Sequence, residues 1–109
     1  MTITGDLITD FIKVCSINDV KLNSAKRFVV NEKEIAVFNL SGKFYAIAVH
    51  CTHAGGPLHE GYIEGNEVEC PWHGAKFDIT TGAALAPPAP KAVHKYEVKV
   101  QGNDVMIKD

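Results

Sequence analysis

The sequence predicts a single all-β domain, an antiparallel β-sandwich or barrel. Three observations carry that expectation. Apolar and polar residues alternate with a period of two through many short segments. Turn-forming residues, glycine and asparagine among them, separate those segments. No stretch of ordinary helix length carries a sustained apolar stripe with a cap. A chain of 109 residues suffices for one core and leaves no room for a second.

In chain order, Phe11 to Cys15, Lys26 to Val30, Glu34 to Leu40 and Phe44 to Val49 read as strands, with Asn31-Glu32-Lys33 and Ser41-Gly42-Lys43 as turns. Glu34 to Leu40 is apolar on both faces, Ile35 and Val37 against Ala36, Phe38 and Leu40, and is expected at the centre of the sheet. A small hairpin follows, Gly61 to Ile63 with Glu67 to Glu69, turning at Glu64-Gly65-Asn66. Lys76 to Ile79 is a further strand that stops at Thr80-Thr81-Gly82. The prolines of Ala86-Pro87-Pro88-Ala89-Pro90 make a stiff loop, too short to link two domains. From Val93 to Val100 the inward set is His94, Tyr96, Val98 and Val100, with Lys95, Glu97 and Lys99 facing water. Gln101 to Asp104 then turns into a last short strand bearing Val105 and Ile107.

Composition narrows the function. With 46% hydrophobic and 22% charged residues the chain is expected to fold, and a net charge of −2 gives nucleic acid no concentrated basic surface. No apolar run approaches the roughly 18 residues of a membrane span, and Met1 to Asp6 lacks the basic start and apolar stretch of a secretory signal. A cytoplasmic protein with no membrane or nucleic-acid partner is the expectation. The odd count of three cysteines, Cys15, Cys51 and Cys70, fits poorly with a secreted disulfide framework. Charge is unevenly spread: between Phe44 and Ala75 the charged residues are Glu60, Glu64, Glu67 and Glu69, a local −4.

The same acidic third holds the informative residues, Cys51-Thr52-His53 and, after sixteen intervening residues, Cys70-Pro71-Trp72-His73. Each pair follows a predicted strand and lies in a loop rich in glycine or proline, so each loop offers one thiolate and one imidazole in the same order. Two such loops side by side can serve two metal atoms, both cysteines on one and both histidines on the other. Structural zinc is the competing reading. Zinc fingers, however, pair like residues, Cys with Cys and His with His, whereas here the two types alternate. A catalytic thiol is a third, weaker reading.

At this point the sequence closely resembles the Rieske iron–sulfur family, whose motif is Cys-x-His followed by Cys-x-x-His. Cys51, His53, Cys70 and His73 match the four ligand positions of its [2Fe–2S] cluster. The likeness runs through His53-Ala54-Gly55-Gly56-Pro57-Leu58 and Trp72-His73-Gly74-Ala75-Lys76-Phe77-Asp78, and on into the proline loop and final strands. Gly55, Gly56 and Gly74 would let backbone N–H groups approach negatively charged sulfur without a Cβ in the way. The resemblance implies a base subdomain built from both chain ends and a small cluster-binding subdomain over about 49–85, within one domain spanning 1–109. His53 and His73 would form an exposed tip, so the midpoint potential is expected to fall at alkaline pH. Pro87, Pro88 and Pro90 match the loop that covers the cluster from a third side.

Departures from the family's respiratory branch are equally informative. That branch joins its two ligand loops by a disulfide, and the matching positions here are Gly56 and Trp72. It also places hydroxyl donors to sulfur where this chain has Ala75 and Phe77. Each missing donor removes stabilisation of the added electron, and the four glutamates act in the same direction. The expected potential lies toward the low end of the Rieske span of roughly −150 to +300 mV.

Other residues are read more plainly. Cys15 is expected to be a buried packing residue, His50 structural or solvent-facing, His59 a surface loop residue and His94 partly buried. Trp72 either shields the cluster, shapes a docking surface or simply packs. Glu64, Glu67 and Glu69 read as the wet face of a hairpin, with steering of a basic partner as the alternative. The resemblance as a whole implies a monomeric Rieske-type ferredoxin that is not itself an enzyme. It would pass single electrons from a flavin-containing, NAD(P)H-dependent reductase to a terminal oxygenase acting on an aromatic or other hydrophobic compound. A Rieske-like small subunit of a reductase such as nitrite reductase, or a zinc-stabilised binding module, are the alternatives.

Overall fold

The structure, a computed structural model, describes residues 11–50, 56–72, 74–86 and 91–108. Ten strands run β1 Ile12–Ser16, β2 Ser24–Val30, β3 Lys33–Leu40, β4 Lys43–Ala48, β5 Tyr62–Glu64, β6 Glu67–Glu69, β7 Lys76–Asp78, β8 Ala84–Ala86, β9 Lys95–Gln101 and β10 Asp104–Lys108. They form two antiparallel sheets, one of six strands in the order β1-β10-β9-β4-β3-β2 and one of four in the order β5-β6-β7-β8. Among the described residues there is no α-helix, only single 3₁₀ turns at Ile17–Asp19 and Leu58–Glu60. None is long and apolar enough to cross a membrane. The all-β expectation therefore holds.

Alternation along β3 explains how the sheets meet. Ile35 and Val37 point into one core with Cys15, Val20, Ala46, Tyr96, Val105 and Ile107. Ala36, Phe38 and Leu40 point the other way, into a second core with Ile47, Leu58, Val68, Cys70 and Phe77. Every residue from Ile35 to Leu40 is buried, as a strand apolar on both faces requires. The six-stranded sheet curls around the first core, because its two edges, β1 through Cys15 and β2 through Phe28 and Val30, contribute to the same interior. The four-stranded sheet is inserted between β4 and β9, which pair directly through Ala46↔Tyr96 and Ile47↔Lys95.

Turn chemistry sets the registers. β2 and β3 are joined by the two residues Asn31 and Glu32, both at positive φ (51° and 68°), and β3 and β4 by Ser41 and Gly42 (54° and 95°). Positive φ at both central positions matches the twist of a two-residue hairpin. Between β7 and β8 the Asp78 carboxylate accepts hydrogen bonds from the Thr80 N–H (2.8 Å), the Thr80 hydroxyl (2.6 Å) and the Thr81 N–H (3.2 Å). Gly82 closes that turn at φ +80°, and a Cβ there would lie 2.5 Å from the Val93 carbonyl oxygen.

Three details differ from the sequence reading. β8 overlaps the proline stretch only at Ala86 and has no counterpart among the expected strands, since Ala84-Leu85-Ala86 carries no β-branched or aromatic residue. His94 is exposed and not partly buried; it precedes β9 and stands edge-on to Tyr96, ring centroids 4.6 Å apart. The predicted inward face is nonetheless the right one, because Tyr96 is buried and Val98 half-buried. The interior simply does not reach either end of the strand, and Val100 is 47% exposed. His59 is the third: it sits in the second 3₁₀ turn with its side chain only 17% exposed.

Two expectations follow from this packing. Phe38→Ala should cost about 3–5 kcal/mol in chemical denaturation, whereas Val29→Ala, at a half-exposed site on β2, should cost less than about 0.5 kcal/mol. The hydrogen bond from the Thr80 hydroxyl, followed by the Thr80 and Thr81 amides, holds the Asp78 carboxyl below the usual aspartate range. A depressed folded-state value contributes stability above the unfolded pKa and loses it as pH falls through the folded one. Thr80→Val should therefore raise the Asp78 pKa in an NMR titration and move acid unfolding to higher pH.

Candidate metal centre

Of the four residues singled out as ligands, Cys70 lies within the described residues; Cys51, His53 and His73 lie outside them, as do Gly55 and the prolines at 87, 88 and 90. The two loops are nonetheless defined at their bases. The first leaves β4 through Val49 and His50 and is closed by a bridge between His50 and Pro57, together with a 2.8 Å hydrogen bond from the Leu58 N–H to the Val49 carbonyl. The second leaves β6 at Cys70 and is closed by a 2.7 Å bond from the Cys70 N–H to the Ala75 carbonyl, next to the Glu69↔Lys76 pair. Gly74, at φ +75°, reverses the chain within it.

The closed bases bring the loops into contact. A Cβ on Gly56, at the exit of the first loop, would lie 2.5 Å from the Cys70 Sγ at the entrance of the second. A side chain here would have to displace that sulfur, so the absence of a Cβ lets the main chain approach it, as expected of Gly56. The Cys70 sulfur is 1% exposed as a residue and accepts a 3.4 Å hydrogen bond from the Trp72 N–H. A buried sulfur that receives a main-chain donor, with room opened beside it by a missing Cβ, fits an iron–sulfur ligand. Ala75 and Phe77 are both fully buried behind it and offer no hydroxyl.

The outer face of the small sheet is mostly acidic. Tyr62, Glu64, Glu67, Glu69 and Lys76 line it, while Val68 and Phe77 turn inward. Glu64 and Glu67 are exposed, as the wet face of a hairpin should be. His50 pairs through Nε2 with Glu34 Oε2 at 2.8 Å, and Arg27 Nε donates to Glu34 Oε1 at 2.6 Å. These two partners, His50 first, hold the Glu34 carboxyl below its ordinary range. The sequence carries no signal for that network, because Arg27 and Glu34 acquire a relation to His50 only through β2–β3 pairing and the start of the first loop. Cys15 sits in the first core, apart from Cys70 in the second, and burial, with Asp19 adding to it, pushes its thiol up to about 11. It packs in that core, as expected.

Comparison with known proteins follows the same lines. The Rieske [2Fe-2S] domain family matches residues 10–97. The ferredoxin component of naphthalene 1,2-dioxygenase/salicylate 5-hydroxylase systems from a Ralstonia species is 36% identical over 99 residues, 91% of this chain and 95% of that one. The ferredoxin of carbazole 1,9a-dioxygenase from Nocardioides aromaticivorans IC177 superposes with a TM-score of 0.86 at 31% identity, over 90% of this chain and 96% of that one. A ferredoxin solved in complex with its oxygenase in carbazole 1,9a-dioxygenase superposes with a TM-score of 0.82 at 32% identity, covering 90% and 92%.

Replacing Gly56 by alanine tests the loop contact. The added Cβ must push the Cys70 sulfur or the Trp72 ring aside, so Gly56→Ala should retain the β-sheet circular dichroism of the parent and lose most of its bound iron. Full iron content in this variant would show that the approach is not needed.

Proposed function

The chain belongs to the Rieske [2Fe–2S] domain family, and on that premise we propose that Cys51, His53, Cys70 and His73 hold the cluster, the two thiolates on one iron and the two imidazoles on the other. The cluster is of the Rieske type, and when bound it takes up and returns one electron. The protein is an electron-transfer component and not an enzyme, in line with relatives named as ferredoxin components of dioxygenase systems. A single domain over 1–109, with its cluster-binding part at about 49–85, accommodates this arrangement.

The chain's own residues divide the work. Cys70 is held in place by the closed second loop and by its position in the second core. The Trp72 amide directs its hydrogen toward the Cys70 sulfur, which favours added negative charge there. Gly56 keeps the first loop close without filling the space beside that sulfur. Ala75 and Phe77 withhold further donors, so the potential belongs in the lower part of the Rieske span of roughly −150 to +300 mV.

The reading extends to partners. Electrons come from a flavin-containing, NAD(P)H-dependent reductase and pass to a terminal oxygenase; the carrier works as a monomer in the cytoplasm. The solved ferredoxin–oxygenase complex of a similar chain supports the acceptor. The single observation that carries the proposal is the buried Cys70 sulfur in contact with Gly56 at the mouth of two closed loops.

The test is direct. Protein produced with ample iron and sulfide should be red-brown, contain about two iron and two sulfide per chain, and give a Rieske-type electron paramagnetic resonance signal on reduction. Its midpoint should not be clearly positive. Zinc in place of iron, with no inorganic sulfide, would overturn the assignment.

A further inference from the structure

Trp72 is the chain's single tryptophan, and it is held in an uncommon way: 49% exposed, yet fixed at its root. Its N–H donates to the Cys70 Sγ at 3.4 Å. Its Cγ and Cβ lie 3.1 and 3.2 Å from the point a Cβ on Gly56 would occupy. The base of the indole thus fills space that Gly56 leaves open, and glycine, indole and sulfur meet at one contact. A side chain that only packed would be buried as Leu58 and Phe77 are. One displayed only to solvent would have no contact with a glycine of the opposite loop.

We propose that Trp72 is a hood over the Cys70 sulfur, a positioning residue that excludes water from the thiolate end of the cluster and so lowers its reduction potential. This rests on Cys70 being a ligand, as proposed above. The sign comes from charge. Two ferric ions, two sulfides, two thiolates and two neutral imidazoles sum to no net charge, and one added electron leaves a single negative charge. Water solvates the charged form better than the neutral one, so excluding it disfavours reduction. The hydrogen bond to sulfur works in the opposite sense, but it comes from the main chain and survives a change of side chain. Substitution at this position therefore isolates the effect of the indole.

The experiment compares holoprotein with Trp72, Trp72→Phe and Trp72→Ala, measuring the midpoint by dye-mediated titration, loss of visible absorbance under a chelator, and far-ultraviolet circular dichroism. Trp72→Ala should show a higher midpoint and several-fold faster cluster loss with unchanged circular dichroism. Trp72→Phe, which keeps a ring on the same Cβ and Cγ, should stay near the parent in both. In the parent, tryptophan fluorescence should be weak and rise several-fold when the cluster is removed. A Trp72→Ala protein with the parent's midpoint overturns the hood, even if it loses its cluster faster, because faster loss alone is what simple packing gives. If Trp72→Ala holds no cluster, Trp72→Val, which leaves most of the ring's space open to water, takes its place, and a midpoint equal to the parent's overturns the hood in the same way. Parent protein without iron and sulfide overturns the ligand assignment itself, and the hood with it.

Discussion

Burial of β3 on both faces is the constraint on which the rest of the structure depends. Six successive residues, Ile35 to Leu40, are withdrawn from water, and their alternation commits the molecule to two cores separated by one strand. Ile35 and Val37 need a curled sheet around them. Ala36, Phe38 and Leu40 need a cover on the opposite side. The small four-stranded sheet supplies it through Val68 and Phe77, and Cys70 is carried into the same core. The candidate metal centre is therefore not an appendage on a finished barrel. Its one described cysteine is part of the packing that a central strand demands.

Close contact between the loops has a different origin. Each loop is shut by main-chain bonds at its base, one through Val49, His50, Pro57 and Leu58, the other through Cys70 and Ala75. Closure fixes where each loop begins and ends and limits the entropy lost when a cluster is bound. What remains is the distance between the two loops, and that is set by the missing Cβ of Gly56 against the Cys70 sulfur. Backbone closure, the missing Cβ of Gly56 and the root of the indole meet at the two positions where the respiratory branch carries its disulfide.

Most of this was legible in the residues, and for identifiable reasons. Period-two alternation depends only on strand geometry, so the expected strands Glu34 to Leu40 and Lys76 to Ile79 lie close to their observed places. Ligand spacing is legible because metal chemistry restricts residue type and order. The misses share a cause in tertiary context. Ala84–Ala86 has no strand-forming side chains and becomes β8 only because β7 offers it a partner edge. His94 has the parity of an inward residue but lies beyond the reach of the first core. His59 reads as a loop residue until Leu58, fully buried beside it, draws the turn down onto β3. The His50–Glu34–Arg27 network had no sequence signal, since it joins three residues brought together by strand pairing and by the loop that follows β4.

The place at which the small sheet enters the barrel has an evolutionary consequence. Because β4 and β9 are hydrogen-bonded neighbours, the polypeptide leaves the barrel and returns to it at adjoining points, with the Ala48 N–H bonded to the His94 carbonyl across the gap at 2.9 Å. Everything between can lengthen, shorten or change its electronic tuning while the barrel keeps its registers. Such a junction lets one scaffold serve as a socket for many inserts, provided each presents apolar side chains to Ala36, Phe38 and Leu40.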